Sequence, residues 1–428
     1  MSFFGKAGTV HSRSMGRAVM WIGVVVAASL WAGLLPPASG WVQRLDLILC
    51  DELSKVLTPG REREDLVFLG IDEEDRKQGP DTVASRESRA LALMRQQVGN
   101  ERLDRRVYAE LIEKLAASGA KFIIFDVLFL GSSGNPAADR EFARALHRHH
   151  DRIVLSLLLQ PMGDGTYQPV SSVEELPHLP QDPSRLPHEG YVNLWSDSED
   201  EVVRRMVYRT TISELQNEEP LPGERVYESL SALTGRLLGA GIPGERSPRL
   251  RYAVSTGDDP SFSAAYAPHS LRDVFVPEHW ETRYGSGRYF RDKVVLVSTS
   301  TLRDGDYHPI PGAVIYGGQF HLQALGSLLD NGFWKRAPPW VNIVALFGMA
   351  GLAVVIGMAL RHPVAILTAA LALGGGFVVL CAFLSDSSGV LFAGTPGLLG
   401  LAVVTICAEL GHLVARWAGA RSDKGEPG

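Results

Sequence analysis

The chain has 428 residues, of which 45% are apolar and 21% charged, and its formal net charge is −6. It is too long for one ordinary domain, and its acidic balance excludes a basic nucleic-acid-binding surface as the organising feature. Three cysteines are too few for a disulfide framework.

In chain order, residues 1–17 carry Lys6, Arg13 and Arg17 and precede a long apolar stretch at 18–36. Three more such stretches, 340–360, 363–384 and 390–413, close the chain. Each has about the 17–25 residues a helix needs to cross the hydrocarbon core, so four transmembrane helices are expected. Arg361 lies between the second and third stretches, and Arg416, Arg421 and Lys424 follow the fourth, whereas the turn 385–389 has Asp386 and no base. Basic residues favour the cytoplasmic side, which puts residues 1–17 and 414–428 inside and the polar segment 41–336 outside. A cleaved signal peptide at "PPASGW" is the rival reading and would leave three spans. The segment 41–336 holds 35 of the 42 Lys and Arg and 44 of the 48 Asp and Glu, a formal charge of −9. Such a domain does not suit nucleic acid but is compatible with a cationic, metal or protein ligand.

Within that segment, residues 41–57 read as a helix stopped by "TPG". "DLVFLGID" (65–72) reads as a strand covered on both faces. Residues 73–102 are polar, a loop with a short helix. "DRRVYAELIEKLAASG" (104–119) is an amphipathic helix with Gly119 as its C-cap. "KFIIFDVLF" (121–129) is a second buried strand, 138–151 a helix and "RIVLSLLLQ" (152–160) a third strand. The alternation predicts an α/β domain with a largely parallel sheet flanked by helices, beside a four-span helical membrane region. Residues 193–194 and 202–209 are expected as further strands, 161–187 as loop and 224–238 as a helix. "DKVVLVSTS" (292–300) is expected as a strand and 318–330 as a helix. Cys50 reads as a packed apolar residue.

The order and spacing of these pieces resemble the CHASE2 family, extracytoplasmic sensory domains of bacterial membrane receptors. The landmarks are "VFLGIDEED", the helix–strand unit ending in Phe125, Asp126 and Phe129, "GYVNLWSDSEDEVVRRMVYR", "YFRDKVVLVSTSTLRDGDYHPIP", and a closing helix with His321, Gln323 and Ala324. The likeness covers roughly residues 44–410 and rests on their order, not on one motif. It implies a multi-pass protein of the cell inner membrane, with a periplasmic domain that binds a small molecule or peptide. The sequence departs from the family in two ways. A polar stretch replaces the family's Trp-Pro-rich turn before the first helix. No kinase, cyclase or phosphodiesterase domain follows the last span, so a partner protein is expected to take the signal in trans.

Three expected strands end in polar residues: Asp72, Asp126, and the run from Ser298 and Thr299 to Thr301. The next turn adds Asp306 and His308. In open α/β sheets ligands sit outside the carboxyl ends of the strands. Asp72, Asp126, Ser298, Thr299, Asp306 and His308 are therefore the candidate ligand-binding residues; the alternative is that they accept hydrogen bonds from loops. No cofactor or metal is specified. No G-x-S-x-G, H-E-x-x-H, P-loop or C-x-x-C pattern marks an enzyme. The expectation is a membrane-anchored sensor in the lipid bilayer, with room for a homo-oligomer. The alternatives are a metal-assisted envelope hydrolase using Asp72, Asp126 and Asp306, and a docking subunit of an envelope complex. Glu409 and His412, one turn apart in the last stretch, suit helix pairing or a signalling role.

Overall fold

The computed structural model describes residues 19, 21–28, 44–45, 47–53, 57, 60–72, 88–96, 103–197, 200–255, 262–392 and 394–422. The chain divides into two units, Met1–Thr58 with Trp334–Gly428, and Pro59–Phe333.

The second unit is built on β1 (Leu66–Ile71), α1 (Arg89–Gln96), α2 (Arg105–Ala117), β2 (Phe122–Asp126), α3 (Pro136–Arg148) and β3 (Ile153–Pro161). β4 (Tyr167–Ser171), β5 (His188–Tyr191), α4 (Leu230–Leu237) and β6 (His269–Ser270) follow. β7 (Val294–Thr299), a hairpin of β8 (Tyr307–Ile310) and β9 (Ala313–Tyr316), and α5 (Gly317–Leu329) complete it. The sheet order is β4-β3-β2-β7-β1-β6, with β5 also on β3. The β3–β4 ladder is antiparallel and the others are parallel.

Alternation along the strands sorts the core into two layers. Val67, Leu69, Ile123, Phe125, Val295 and Val297 pack with α1, α2 and α3. Leu66, Phe68, Phe122, Ile124, Val294 and Leu296 pack with α4 and α5 on the other face. Both faces are covered, which is why these strands read as continuous apolar runs.

Several expected elements differ. Residues 193–194 are not a strand; Asn193 instead uses its side chain as a ladder rung, Oδ1 accepting from Leu159 N at 2.8 Å and Nδ2 donating to Leu159 O at 2.9 Å. Of 202–209 only Arg209 joins a strand, Arg209–Thr210, apart from a single bridge at Arg205. The expected loop 161–187 contains β4. The helix expected from residue 224 begins at Leu230, because Ser229 caps it by accepting from Ala232 N at 3.1 Å.

In the first unit, α6 (Pro339–Ala359), α7 (Pro363–Ser388) and α8 (Thr395–Ser422) supply three helices long and apolar enough to cross a membrane, Pro339–Ala359, Pro363–Ser388 and Thr395–Val414. Three of the four expected spans are thus candidate spans among the described residues. Of the expected first span, residues 21–28 are helical and the remainder lies largely outside the described residues. The last helix starts at Thr395, after a two-residue strand Val390–Leu391, and not at residue 390. Small residues set the helix spacing. A Cβ on Gly400 would meet the Leu346 carbonyl of α6, and one on Gly397 would lie 2.6 Å from the Phe377 ring of α7. Cys50 is buried beside Leu53, Leu57, Trp334 and Leu391.

Candidate functional site

At the carboxyl edge of the sheet the alternation that builds the core continues, but with polar side chains. Asp126 follows Phe122 and Ile124 on the α5 face of β2, and Ser298 follows Val294 and Leu296 on the same face of β7. The two are register partners, and Ser298 Oγ donates to Asp126 Oδ2 at 2.8 Å. Their neighbours Phe125 and Phe129 turn the other way, into an aromatic cluster with Tyr108 and Phe142. The Phe-Asp-x-x-Phe pattern thus divides its work between the two faces.

The β8–β9 hairpin brings in the next groups. Its two-residue turn, Pro311–Gly312, has Gly312 at φ +92°, as a type II turn requires. The hairpin returns the chain to Asp306, whose carbonyl accepts from Gly317 N at 3.1 Å. The Asp306 side chain lies over the first turn of α5, so closely that a Cβ on Gly317 would fall on its carboxylate. A Cβ on Gly318 would lie 2.8 Å from the Phe68 ring and 2.9 Å from Ser298 Cβ. Two glycines therefore let the helix start press onto the strand ends. The positive end of the helix dipole favours a carboxylate there. His308 Nε2 bonds Asp306 Oδ1 at 3.2 Å.

His321, one turn into α5, completes the cluster. It is buried, its ring has a backbone hydrogen bond to Val192, and its Nδ1 has no partner. Burial pushes its pKa down to about 4 against the charge of Asp306, so the ring is neutral. Burial, with the charge of Asp306 behind it, pushes Asp126 up to about 7, and the Ser298 bond only partly opposes this. Two carboxyls on one edge thus have different environments: one at a helix N-terminus, one desolvated.

Asp126, Ser298, Asp306 and His308, named from the sequence, come together, and His321 joins them. Thr299 lies opposite Ile71 in register, and by alternation on the opposite face from Ser298. Asp72 follows Ile71 at the end of β1, on the same edge but beyond β7 from Asp126. His321 sits in a helix buried on all sides, among Phe320, Leu322 and Leu325, where a histidine reads as core. Its one signal was the resemblance that placed it in the closing helix. Gln319 and Gln323 flank it but serve the fold, bonding the Ser263, Ala265 and Ala253 carbonyls.

Among the described residues no group of three His, Cys, Asp or Glu is placed to hold a metal ion. A separate cleft of about 810 Å³ lies on the outer helix layer, lined by Arg89, Glu110, Glu113, Lys114, Glu141 and Trp280 among others. Its charges are spent on one another. Arg89 bonds both oxygens of Glu141 at 2.7 and 2.9 Å, and Lys114 lies 3.9 Å over the Trp280 ring. The sheet edge, with its unpaired imidazole nitrogen and adjacent carboxyls, is the stronger site.

A family profile for the CHASE2 domain matches residues 22–358. The chain belongs to the CHASE2 family. CHASE2 domains are sensory, and three candidate membrane helices close this chain. No curated protein and no solved structure matches it.

Proposed function

We propose that this CHASE2 protein is a multi-pass sensor of the inner membrane whose extracytoplasmic domain binds a polar small molecule without turning it over, and that a partner protein receives the signal in trans. The observation that carries this reading is the convergence of Asp126, Ser298, Asp306, His308 and His321 at the sheet edge where open α/β domains receive ligands. The edge adjoins α5, the last helix before the membrane segment, so a ligand that moves the start of α5 acts on the element that leads out of the domain.

The test uses the full chain in lipid nanodiscs, incubated with a low-molecular-weight extract of its own cells' growth medium. After washing, bound compounds are released by unfolding and identified by mass spectrometry. A compound recovered unchanged from wild type, and absent from Asp306→Ala, supports the sensor. A chemically altered compound points to the envelope enzyme, and a compound-free protein sinks the ligand reading.

The partner reading has support of its own in the membrane unit. Pro363, Val364 and Leu367 of α7 and Thr405, Ile406, Glu409 and Leu410 of α8 line a groove of about 370 Å³. Glu409 Oε1 there has no hydrogen-bond partner, and His412 is occupied with the Gly357 carbonyl at 2.9 Å. A carboxyl in apolar surroundings calls for a donor, so the complementary occupant is a partner's transmembrane helix carrying one at this depth. A photo-crosslinker placed at Ile406 should trap a second polypeptide in cells, and Glu409→Leu should abolish that band. Crosslinks to lipid alone would remove the proposal, and crosslinks to a second copy of the chain would turn it into self-association.

A further inference from the structure

At the sheet edge, hydrogen-bonding capacity is unevenly spent. The Ser298 hydroxyl proton is committed to Asp126. The His321 ring is neutral and bonded to the Val192 backbone, so its unpartnered Nδ1 offers a lone pair. Among the described residues, the Asp306 side chain receives only His308 Nε2 on one oxygen, and Asp126 receives only Ser298. What remains is a set of acceptors.

Charge is uneven in the same sense. Two other inward-facing sets of carboxylates in the domain have a cation. Asp139 pairs with Arg105 at 2.8 Å, and Asp197 and Asp200 pair with the buried Arg204 at 2.8 and 2.6 Å. Among the described residues no Lys or Arg pairs with Asp126 or Asp306. The groups next to Asp126 are Ser298 from β7 and Asp306 from the hairpin, and Asp306 in turn neighbours His308 and, from α5, His321. His308 is the one potential cation in that set. The site is also graded in depth. The side chains of Asp306 and His308 are 38% and 29% exposed, whereas Ser298 and His321 are 1% and 3% exposed.

We infer that this edge takes a small organic cation, an amine or guanidinium compound whose N–H groups bridge Asp126 and Asp306 and reach His321 Nδ1 at the floor. An ammonium brings three donors and a guanidinium five, so either supplies both the missing charge and the missing donors. A bare metal ion fits less well, since no three ligating groups converge among the described residues. An organic cation can span carboxyls that one ion cannot. The inference rests on the ligand-site reading above and specifies the ligand's class.

Because the cation binds the ionised form of Asp126, binding must displace its proton. Affinity then rises with pH through about 7 and levels off, weakening on the order of tenfold between pH 8 and pH 6. Calorimetry on the full chain in nanodiscs tests this with putrescine, spermidine and agmatine as probes. Glucose, succinate and Mg²⁺ are the comparators. The expected result is saturable binding of at least one of the three amines, tenfold or more weaker in Asp306→Asn and His321→Phe, both checked for folding by thermal melt. At pH 6.5 the binding heat should change with the buffer's ionisation enthalpy, reporting proton release. No binding by the three amines, binding unchanged in both variants, or binding without proton release would overturn the cation assignment. Binding of glucose or succinate lost in the same variants would also overturn it, while leaving the ligand site standing.

Discussion

Asp126 shows how one residue's surroundings set its chemistry. Its register partner gives it one hydrogen bond, and its other close charge is a like charge from Asp306. Its pKa is raised from 3.8 to about 7 in the folded protein. Between those values the folded protein holds a proton that the unfolded chain has released. Stability therefore falls as pH rises through that window, and the loss is complete above pH 7. Asparagine keeps an acceptor for Ser298 and carries no charge. Asp126→Asn should raise stability by about 1–3 kcal/mol at pH 8, a magnitude held down because some solvent reaches the group, and change little at pH 4. Thermal melts of the two proteins at both pH values check this. A variant less stable than wild type at pH 8 would show that the carboxylate is a structural acceptor. Arg105 is the contrasting case. It donates to Asp139 Oδ1 at 2.8 Å and to the Gly131 carbonyl at 2.7 Å, and Ser132 Oγ also bonds Asp139. Burial would raise the Asp139 pKa, yet the bonds from Ser133 and Ser132 and the Arg105 charge bring it below the usual range. Arg105→Met would strand that carboxylate and should cost about 3–5 kcal/mol in urea unfolding followed by circular dichroism.

At the scale of elements, α5 depends on its two leading glycines. Helix propensity alone predicts that Gly318→Ala stabilises the protein by up to about 1 kcal/mol. The Cβ would instead press on the buried Phe68 ring and on Ser298, and overpacking of this kind costs roughly 1–3 kcal/mol. The expected sign is therefore destabilising, read as a lower melting temperature, and a more stable variant would refute the close approach of α5 to the strand ends. Four strands, β1, β2, β3 and β7, were legible as apolar runs because helices cover both sheet faces. The helices α2 and α3 showed their periodicity because only one face of each packs on the sheet. β4 and β5 were not legible. "YQPVS" and "HEGY" are short and mostly polar, and their place depends on β3, which is distant in sequence. Residues 193–194 misled because an asparagine side chain can make the hydrogen bonds of a strand without strand geometry. At the site, the strand-end carboxyls announced themselves by being polar inside apolar runs. Thr299 was misplaced because a one-residue step reverses the face. His321 was missed as a candidate because only the hairpin brings the charge of Asp306 near it.

At the scale of the whole molecule, the proposed topology turns on the parity of the closing helices. If the three candidate helices all cross, whatever follows Thr395–Val414 lies on the side opposite the residues that precede Pro339, however residues 18–36 are used. The α6–α7 turn then shares a side with the end of α8, and Arg416 Nη2 does bond the Arg361 carbonyl at 3.3 Å. Arg361 and Arg416 thus lie at one end of the helices, while Asp386, in the last turn of α7, lies at the other. On our proposal, that asymmetry puts the basic side in the cytoplasm and the CHASE2 domain outside, as the positive-inside rule expects. Reporter fusions after Arg361 and after Lys424 should read as cytoplasmic, and one after Asp386 as external. Replacing residues 1–40 with a cleavable export signal should leave all three readings unchanged, because the closing helices and their flanking charges remain. If the Lys424 fusion reads as external, one of the three helices does not cross. If the readings invert only when residues 1–40 are replaced, the first apolar stretch is itself a span that sets the orientation of the rest.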